Sequence, residues 1–224
     1  MKKSAPQRAA EAIQQRIRSG KYPVGESLPG QRLLAEQLGV GRPAIREAVS
    51  ALEGLGMLQV EAGRGVFVRD PSAARVARWR FAKQYSLADV YTVRASLESL
   101  SALLATKRST PASVKILDRL ADKLSGAVQS GDLLAMAAAD RAFHRKLAEV
   151  SGNPLLMEIL DVFDVVITEG RNLAFHDASS KHRNAPVLEH REIIEAIKSG
   201  DANAASRKMT THILHAQSRA RLVI

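Results

Sequence analysis

A short helical stripe that stops at a glycine, a second helix that opens on arginine and proline, and a glycine-tipped hairpin all lie within residues 28–68. From there to residue 224 the patterning is helical alone. Together these observations predict a mainly α chain, an N-terminal winged helix-turn-helix followed by a C-terminal antiparallel all-helical bundle. With 224 residues, both parts have room to bury a core of their own. The expected division is 1–70 for the winged unit, 71–85 for a connecting linker or helix, and 86–224 for the bundle.

The opening stretch, MKKSAPQRAA, is polar and is expected to fray. A first helix follows over 7–19, with Ala12, Ile13 and Ile17 at helical spacing. Residues 31–38 carry Leu34 and Leu38 four apart, and Leu33 and Ala35 widen the expected apolar face. Gly39 then ends the helix in a left-handed turn, and Val40 supplies an apolar contact across it. In the next helix Pro43 sits in the first turn, while Ile45, Val49 and Leu52 recur at i, i+4 and i+7. Arg42 and Arg46 fall together off that stripe. A recognition helix needs guanidiniums in that place, to fork onto guanine edges or phosphates in the major groove.

The hairpin reads as strands 58–61 and 65–68, with Val60, Val66 and Val68 as alternating apolar positions and Ala62, Gly63 and Arg64 between them. Arg64 rides the tip. It is either a contact to a minor groove or phosphate, or a solvated side chain in an ordinary turn.

The segment Leu28-Pro29, Arg32, Gly39-Val40, Arg42 to Ala48 and Gly63-Arg64-Gly65 resembles the DNA-binding domain of GntR-type bacterial transcription regulators. That resemblance implies duplex DNA as partner, with Arg32, Arg42, Arg46, Gly63 and Arg64 at the contact. The chain departs from the family pattern at Gly30 and Gly41, where Ser or Thr is usual just before each helix. Glycine in place of a serine cap costs only about a few tenths of a kcal/mol. Neither position has a hydroxyl to offer a phosphate, and the exposed backbone N–H groups of those helix starts remain to do so.

Composition agrees with a polyanionic partner. The net charge is +10 and the isoelectric point is near 10.2. In residues 1–70 Lys and Arg outnumber Asp and Glu by eleven to seven. Arg75, Arg78, Arg80 and Lys83 continue the basic character just after the wing, as a solvated linker or as a stretch brushing the DNA backbone. With aromatic residues at 4%, there is little to stack on single-stranded bases, so duplex DNA is favoured. The chain has no cysteine, which excludes disulfides, thiolate metal sites and a cysteine nucleophile. It also shows no secretory segment and no long apolar run, so a cytoplasmic protein without a membrane partner is expected.

Asp70-Pro71-Ser72 marks the expected domain boundary. Helices are predicted over 74–84, 87–106, 112–129, 133–150, 154–173, 186–198 and 202–222. Their breaks, Thr110-Pro111, Ser130-Gly131-Asp132, Ser151-Gly152-Asn153-Pro154 and Ser199-Gly200-Asp201, pair glycine or proline with capping residues.

Polar residues on apolar stripes carry the chemistry of the bundle. Leu133, Ala137, Asp140, His144 and Leu147 share one face of their helix. Val187, His190, Ile194 and Ile197 share another, and Ala205, Met209, His212 and Ala216 a third, with His215 on a polar face. A carboxylate and three imidazoles from three helices fit either of two patterns. They are hydrogen-bonded core residues, or they converge on a divalent metal, because burying them unpaired is costly.

The helical part also resembles the FCD domain found behind this type of winged helix in the FadR-like subfamily. The matching residues are Arg94 and Glu98, Asp140 to Leu147, Ser151 to Pro154, His190 and His212. By that resemblance Asp140, His144, His190 and His212 ligate a divalent transition metal, zinc first, with nickel or manganese as alternatives. Arg94 shares a stripe with Leu87, Val90, Leu97 and Leu104, so its guanidinium is expected inside the bundle. It either pairs with Glu98 or holds a small carboxylate effector beside the metal. The expected function is a homodimeric, non-enzymatic repressor whose operator binding is relieved by a small organic acid bound near the metal. A purely structural metal, or a metal-dependent enzyme with a DNA-binding head, are the alternatives. Against the enzyme, no separate general base is staged: His176 and His182 fall in an expected loop.

Overall fold

A computed structural model describes residues 4–69, 84–164, 166–168 and 184–221, excepting the side chain of the last. The chain divides into two compact units, Met1–Ala77 and Arg78–Ile224.

The first unit contains α1 (Ala5–Arg18), α2 (Gln31–Leu38), α3 (Arg42–Gly54), β1 (Leu58–Glu61) and β2 (Gly65–Val68). Where fraying was expected, α1 is already formed. Ser4 and Gln7 make a reciprocal capping box and Pro6 stands in the first turn, so the polar opening starts a helix at Ala5. Helices α1 and α2 both pack on α3, and Ile13, Leu34, Ile45 and Leu52 are fully buried. Leu33, expected to widen the apolar face of α2, is instead 48% exposed. Leu34, Ala35 and the half-buried Leu38 define that face, and Leu33 is turned off it by the 3.6-residue period.

The turn between α2 and α3 is made by Gly39 at φ 63°, ψ 37°. The Val40 N–H donates to the Ala35 carbonyl at 3.1 Å, closing the helix end as a Schellman turn. An L side chain is strained at that φ. Gly39→Ala is therefore expected to lower the stability of this unit by about 1 to 2 kcal/mol in urea denaturation; an unchanged midpoint would contradict the turn.

The strands pair antiparallel in the register Leu58↔Val68, Gln59↔Phe67, Val60↔Val66 and Glu61↔Gly65. Residues 25–28 extend the sheet along the far side of β2: Leu28 N–H donates to Val66 O at 2.7 Å, and Val68 N–H to Glu26 O at 2.8 Å. Leu58 and Val68 are buried, but Val60 is 46% exposed. Alternation does place Val60 on the face of Leu58, yet that pair lies one step nearer the tip, beyond the cover of the helices.

The second unit contains α4 (Leu87–Arg108), α5 (Pro111–Ser130), α6 (Leu133–Val150), α7 (Pro154–Val162), α8 (Ala185–Lys198) and α9 (Ala202–Arg221). Capping boxes at Ser86 with Asp89 and at Thr110 with Ser113 start α4 and α5, and the Asp132 and Asn153 side chains cap α6 and α7. Helix α9 packs on α4 and α8, α5 packs on α6 and α8, and α4 packs on α6. The short connections Gly131-Asp132 and Ser199-Gly200-Asp201 make α5/α6 and α8/α9 antiparallel pairs. The helix expected over 154–173 is broken at Phe163 (φ −95°, ψ 6°), and helical backbone resumes at residue 164. The β-branched and aromatic run around Val162 and Phe163 has weak helix propensity. Residues 70–83 and 169–183 lie outside the described ones. With them go the expected boundary at Asp70-Pro71-Ser72, nearly all of the connecting helix, the basic run Arg75, Arg78, Arg80 and Lys83, and both loop histidines.

Candidate functional site

Sequence spacing places Asp140 and His144 one turn apart on α6, and the hairpin of α8 and α9 brings His190 and His212 against them. All four side chains are buried, and one ligand atom from each lies within 4.8 Å of the others. His212 Nε2 is 3.2 Å from His144 Nε2. Asp140 Oδ1 is 3.3 Å from His190 Nε2 and 3.6 Å from His144 Nε2. Donors held about 2.0 to 2.1 Å from one tetrahedral zinc lie about 3.3 Å from each other, so this spacing fits an ion.

The surroundings fit it as well. His144 Nδ1 sits against Glu98 Oε2, and His212 Nδ1 lies 2.6 Å from Glu189 Oε2. An imidazole that donates Nδ1–H to a carboxylate carries its lone pair on Nε2, the tautomer a metal ligand needs. With both imidazoles in that tautomer, two lone pairs face each other at 3.2 Å beside a carboxylate, an arrangement that a cation would satisfy. Both ring nitrogens of His190 are buried without a well-formed hydrogen bond; its ring is held instead by stacking on Phe143, 3.9 Å between centroids at 12°.

Electrostatics favour the ligand-competent forms. Burial opposes charge on Asp140, but His144 and His190 hold its carboxyl well below the usual carboxylate range. Burial, reinforced by the neighbouring imidazoles, lowers the pKa of His212 to about 3, and burial likewise lowers that of His190. Glu189 is buried against its charge too, yet hydrogen bonds from His212 and Arg219 bring it down to about 2.

Arg94 is 1% exposed. Its Nε donates to Glu98 Oε1 at 2.8 Å, so the first of the two alternatives for this arginine, the salt bridge to Glu98, is present. Nη1 of the same guanidinium is buried with no hydrogen-bond partner. Burial works against the Arg94 charge, but Glu98 outweighs it and the pKa is raised. Of the stripe expected to accompany Arg94, Leu87 and Val90 are buried while Leu97 and Leu104 are only half-buried. The inward line of α4 runs instead through Tyr91, Glu98, Ser101 and Ala105, all buried.

Sequence reading missed the supporting side chains. Glu189 also accepts from His215 Nδ1 at 2.9 Å and from both terminal nitrogens of Arg219 at 3.2 Å. Its three partners repeat at three and four residues along α9, and that spacing was legible once His212 was singled out. Glu189 itself had no such signal, because it is simply the neighbour of His190.

In the winged unit, Arg32 follows the first residue of α2, Arg42 opens α3, and Arg46 lies one turn further on; all are exposed. Among the described residues none of the three has an ion-pair or hydrogen-bond partner for its side chain. Gly30 and Gly41 stand at the N-cap positions with no side-chain cap, as expected. A Cβ at Gly41 would meet only Pro43 Cδ at 3.6 Å. Gly41→Ser is therefore expected to raise stability by a few tenths of a kcal/mol, roughly the difference between these caps; a lowered melting temperature would show the position to be strained. Gly63 takes φ 73° at the wing tip. Arg64 there is 75% exposed and pairs with Glu61 at 2.6 Å.

A family model described as "Bacterial regulatory proteins, gntR family" matches residues 6–68, and one described as "FCD domain" matches residues 89–215. The chain belongs to the GntR family of regulators, in its FadR-like branch with an FCD domain. It is a DNA-binding transcriptional regulator and not an enzyme. Across 220 residues it is 29% identical to the HTH-type transcriptional repressor NanR of Escherichia coli K12, covering 95% of this chain and 82% of that protein. The solved structure of GntR from Streptococcus agalactiae is 29% identical with a TM-score of 0.51, covering 95% of this chain and 99% of its own. E. coli McbR/YncC shares the fold, at 22% identity and a TM-score of 0.55 over 99% of this chain and 98% of its own. No described helix of this regulator is long and apolar enough to cross a membrane.

Proposed function

We propose that this regulator is a cytoplasmic, metabolite-responsive repressor. Residues 1–70 bind operator DNA, residues 86–224 sense a small organic acid beside a divalent metal, and residues 71–85 link the two. The observation that carries this reading is the unused Nη1 of Arg94, buried beside a donor set of one carboxylate and three imidazoles. Asp140, His144, His190 and His212 would hold the ion, with zinc the first choice for such nitrogen and oxygen donors. When bound, that ion supplies positive charge and open positions for a carboxylate oxygen.

The chain's own groups do the rest. With neutral imidazoles, Asp140, Glu98 and Glu189 against Arg94 and Arg219 leave the centre one negative charge. A dication turns that balance to one positive, which favours an anion. Arg94 Nη1 then offers a charge-assisted N–H to a carboxylate. Small hydroxy, keto or sugar acids fit these groups, whereas a long acyl chain would have to displace them.

Repression agrees with the name of the E. coli relative, and a homodimer suits a roughly palindromic operator. Helix α4 supports pairing: Val93 and Leu100 are 49% and 41% exposed. With half-buried Leu97 and Leu104 they form an outward apolar stripe at i, i+4, i+7 and i+11.

The test is operator binding by metal-loaded protein, followed by fluorescence anisotropy against a panel of small acids. An effector should weaken binding by about 5- to 150-fold, the usual span of allosteric coupling. Arg94→Met should retain metal and lose that response. A variant that still responds would exclude Arg94 from effector recognition.

A further inference from the structure

Between the guanidinium of Arg94 and the imidazole of His144 lies one carboxylate. Glu98 Oε1 accepts from Arg94 Nε at 2.8 Å, and Oε2 of the same group sits against His144 Nδ1. All three side chains are buried. Arg94 and Glu98 are one turn apart on α4, and α6 packs against that helix to deliver His144 from the other side. Each oxygen thus serves a different donor, one belonging to the metal cluster and one to the acid-binding arginine. Glu189, the other carboxylate behind the cluster, has no such double role. Its further partners are His215 and Arg219, and it does not reach Arg94.

We infer that Glu98 is a positioning residue that couples metal retention to acid recognition. It holds His144 with Nδ1–H outward, so that Nε2 presents its lone pair to the cluster. At the same time it engages Arg94 through Nε, which leaves Nη1 over for a carboxylate oxygen. The two tasks share one charge. An acid that draws on the guanidinium weakens the pull of Arg94 on Oε1 and leaves more of the Glu98 charge to His144, which strengthens Nε2 as a donor. Linkage makes the effect reciprocal, so a filled cluster raises acid affinity by the same factor. This inference rests on the metal-and-acid reading above and adds the group through which its two halves communicate.

The test is a double-mutant cycle on zinc affinity, measured on the full chain by competition with a chromophoric chelator. It compares wild type, Glu98→Gln, Arg94→Met and the double variant. Glu98→Gln should weaken zinc binding by about 10- to 100-fold, as loss of an outer partner of a metal-bound histidine does. The double variant should depart from the product of the two single effects by about threefold or more, as expected for groups in contact. Nitrogen-15 spectra of the histidine rings in metal-free protein should show His144 as the Nδ1–H tautomer in wild type and a mixture in Glu98→Gln. Because Glu98→Gln leaves Arg94 buried without its anion, the double variant, in which neither charge remains, guards against simple misfolding. Glu98→Asp, which keeps the charge and shortens its reach, serves as a further guard. Zinc affinity within twofold of wild type in Glu98→Gln, an additive cycle, or an unchanged His144 tautomer each overturns the coupling while the metal reading stands. A wild-type protein that takes up none of zinc, nickel or manganese overturns the metal reading itself, and the coupling with it.

Discussion

Adding chelator to metal-loaded protein is expected, on the metal reading proposed above, to lower the melting temperature of the helical unit by about 10 °C. A ligand present at a thousand times its Kd stabilises the folded state by about 4 kcal/mol, and each kcal/mol moves the midpoint of a domain this size by about 2 to 4 °C. The cause lies in what remains once the ion is gone: a buried carboxylate and imidazole nitrogens within 4.8 Å of one another, with no cation between them. His144→Ala should melt at the same temperature with and without chelator, since it removes the ligand that touches both Asp140 and His212. His190→Ala should lose metal while the winged unit keeps its helical circular dichroism, because that unit shares no element with the cluster. Scanning calorimetry with and without chelator reads the first two, and metal analysis together with circular dichroism reads the third. A wild-type shift below about 2 °C, half a kcal/mol or so by the same conversion, would contradict a metal held by these four residues.

How much of this was legible in the sequence follows from how each signal arises. Asp140, His144, His190 and His212 were visible because each interrupts an otherwise apolar stripe, and helical periodicity alone decides which way a stripe faces. Arg94 was visible for the same reason. Which of its nitrogens would be occupied was not, because that depends on where α6 lies against α4, a tertiary fact. On sequence grounds the salt bridge to Glu98 and an arginine free to take an acid are alternatives; in the structure the bond through Nε and the unpartnered Nη1 coexist on one guanidinium. Glu189 and Arg219 escaped notice because charged residues near a helix edge usually face solvent. Boundaries failed locally, at Ser4, where a capping box outweighed a polar composition, and at Phe163, where a β-branched and aromatic run broke a helix whose hydrophobic pattern continued. Leu33 and Val60 show the limit of counting apolar residues: each has the right chemistry, but one is off the buried face and the other lies beyond the reach of the core.

Operator affinity is expected to fall by about three to five orders of magnitude between 50 and 200 mM salt, the loss typical of six to ten phosphate contacts. The winged unit offers the charges for it. Arg32, Arg42 and Arg46 are exposed at the starts of α2 and α3, with no internal partner among the described residues to compete with DNA. The glycine caps at 30 and 41 add backbone N–H groups in place of hydroxyls, although α3 contributes fewer because Pro43 has none. Arg64 is tied to Glu61, but its own side chain is 75% exposed against 20% for Glu61, so its guanidinium is open to solvent and can trade that partner for a phosphate. Salt also separates the roles of these arginines. Replacing a phosphate-binding arginine by alanine should reduce the slope of log K against log salt by about 0.9. Replacing a base-reading one should cost about 1 to 3 kcal/mol on the specific site and leave the slope unchanged. Arg46, one turn inside α3, is placed for the second behaviour and Arg42, at the helix start, for the first. Titrating Arg42→Ala and Arg46→Ala against specific and scrambled duplex across a salt series distinguishes them. If Arg46→Ala weakened both duplexes equally and flattened the slope, the residue would be gripping the backbone, and sequence reading would have to come from elsewhere on α3 or from the wing.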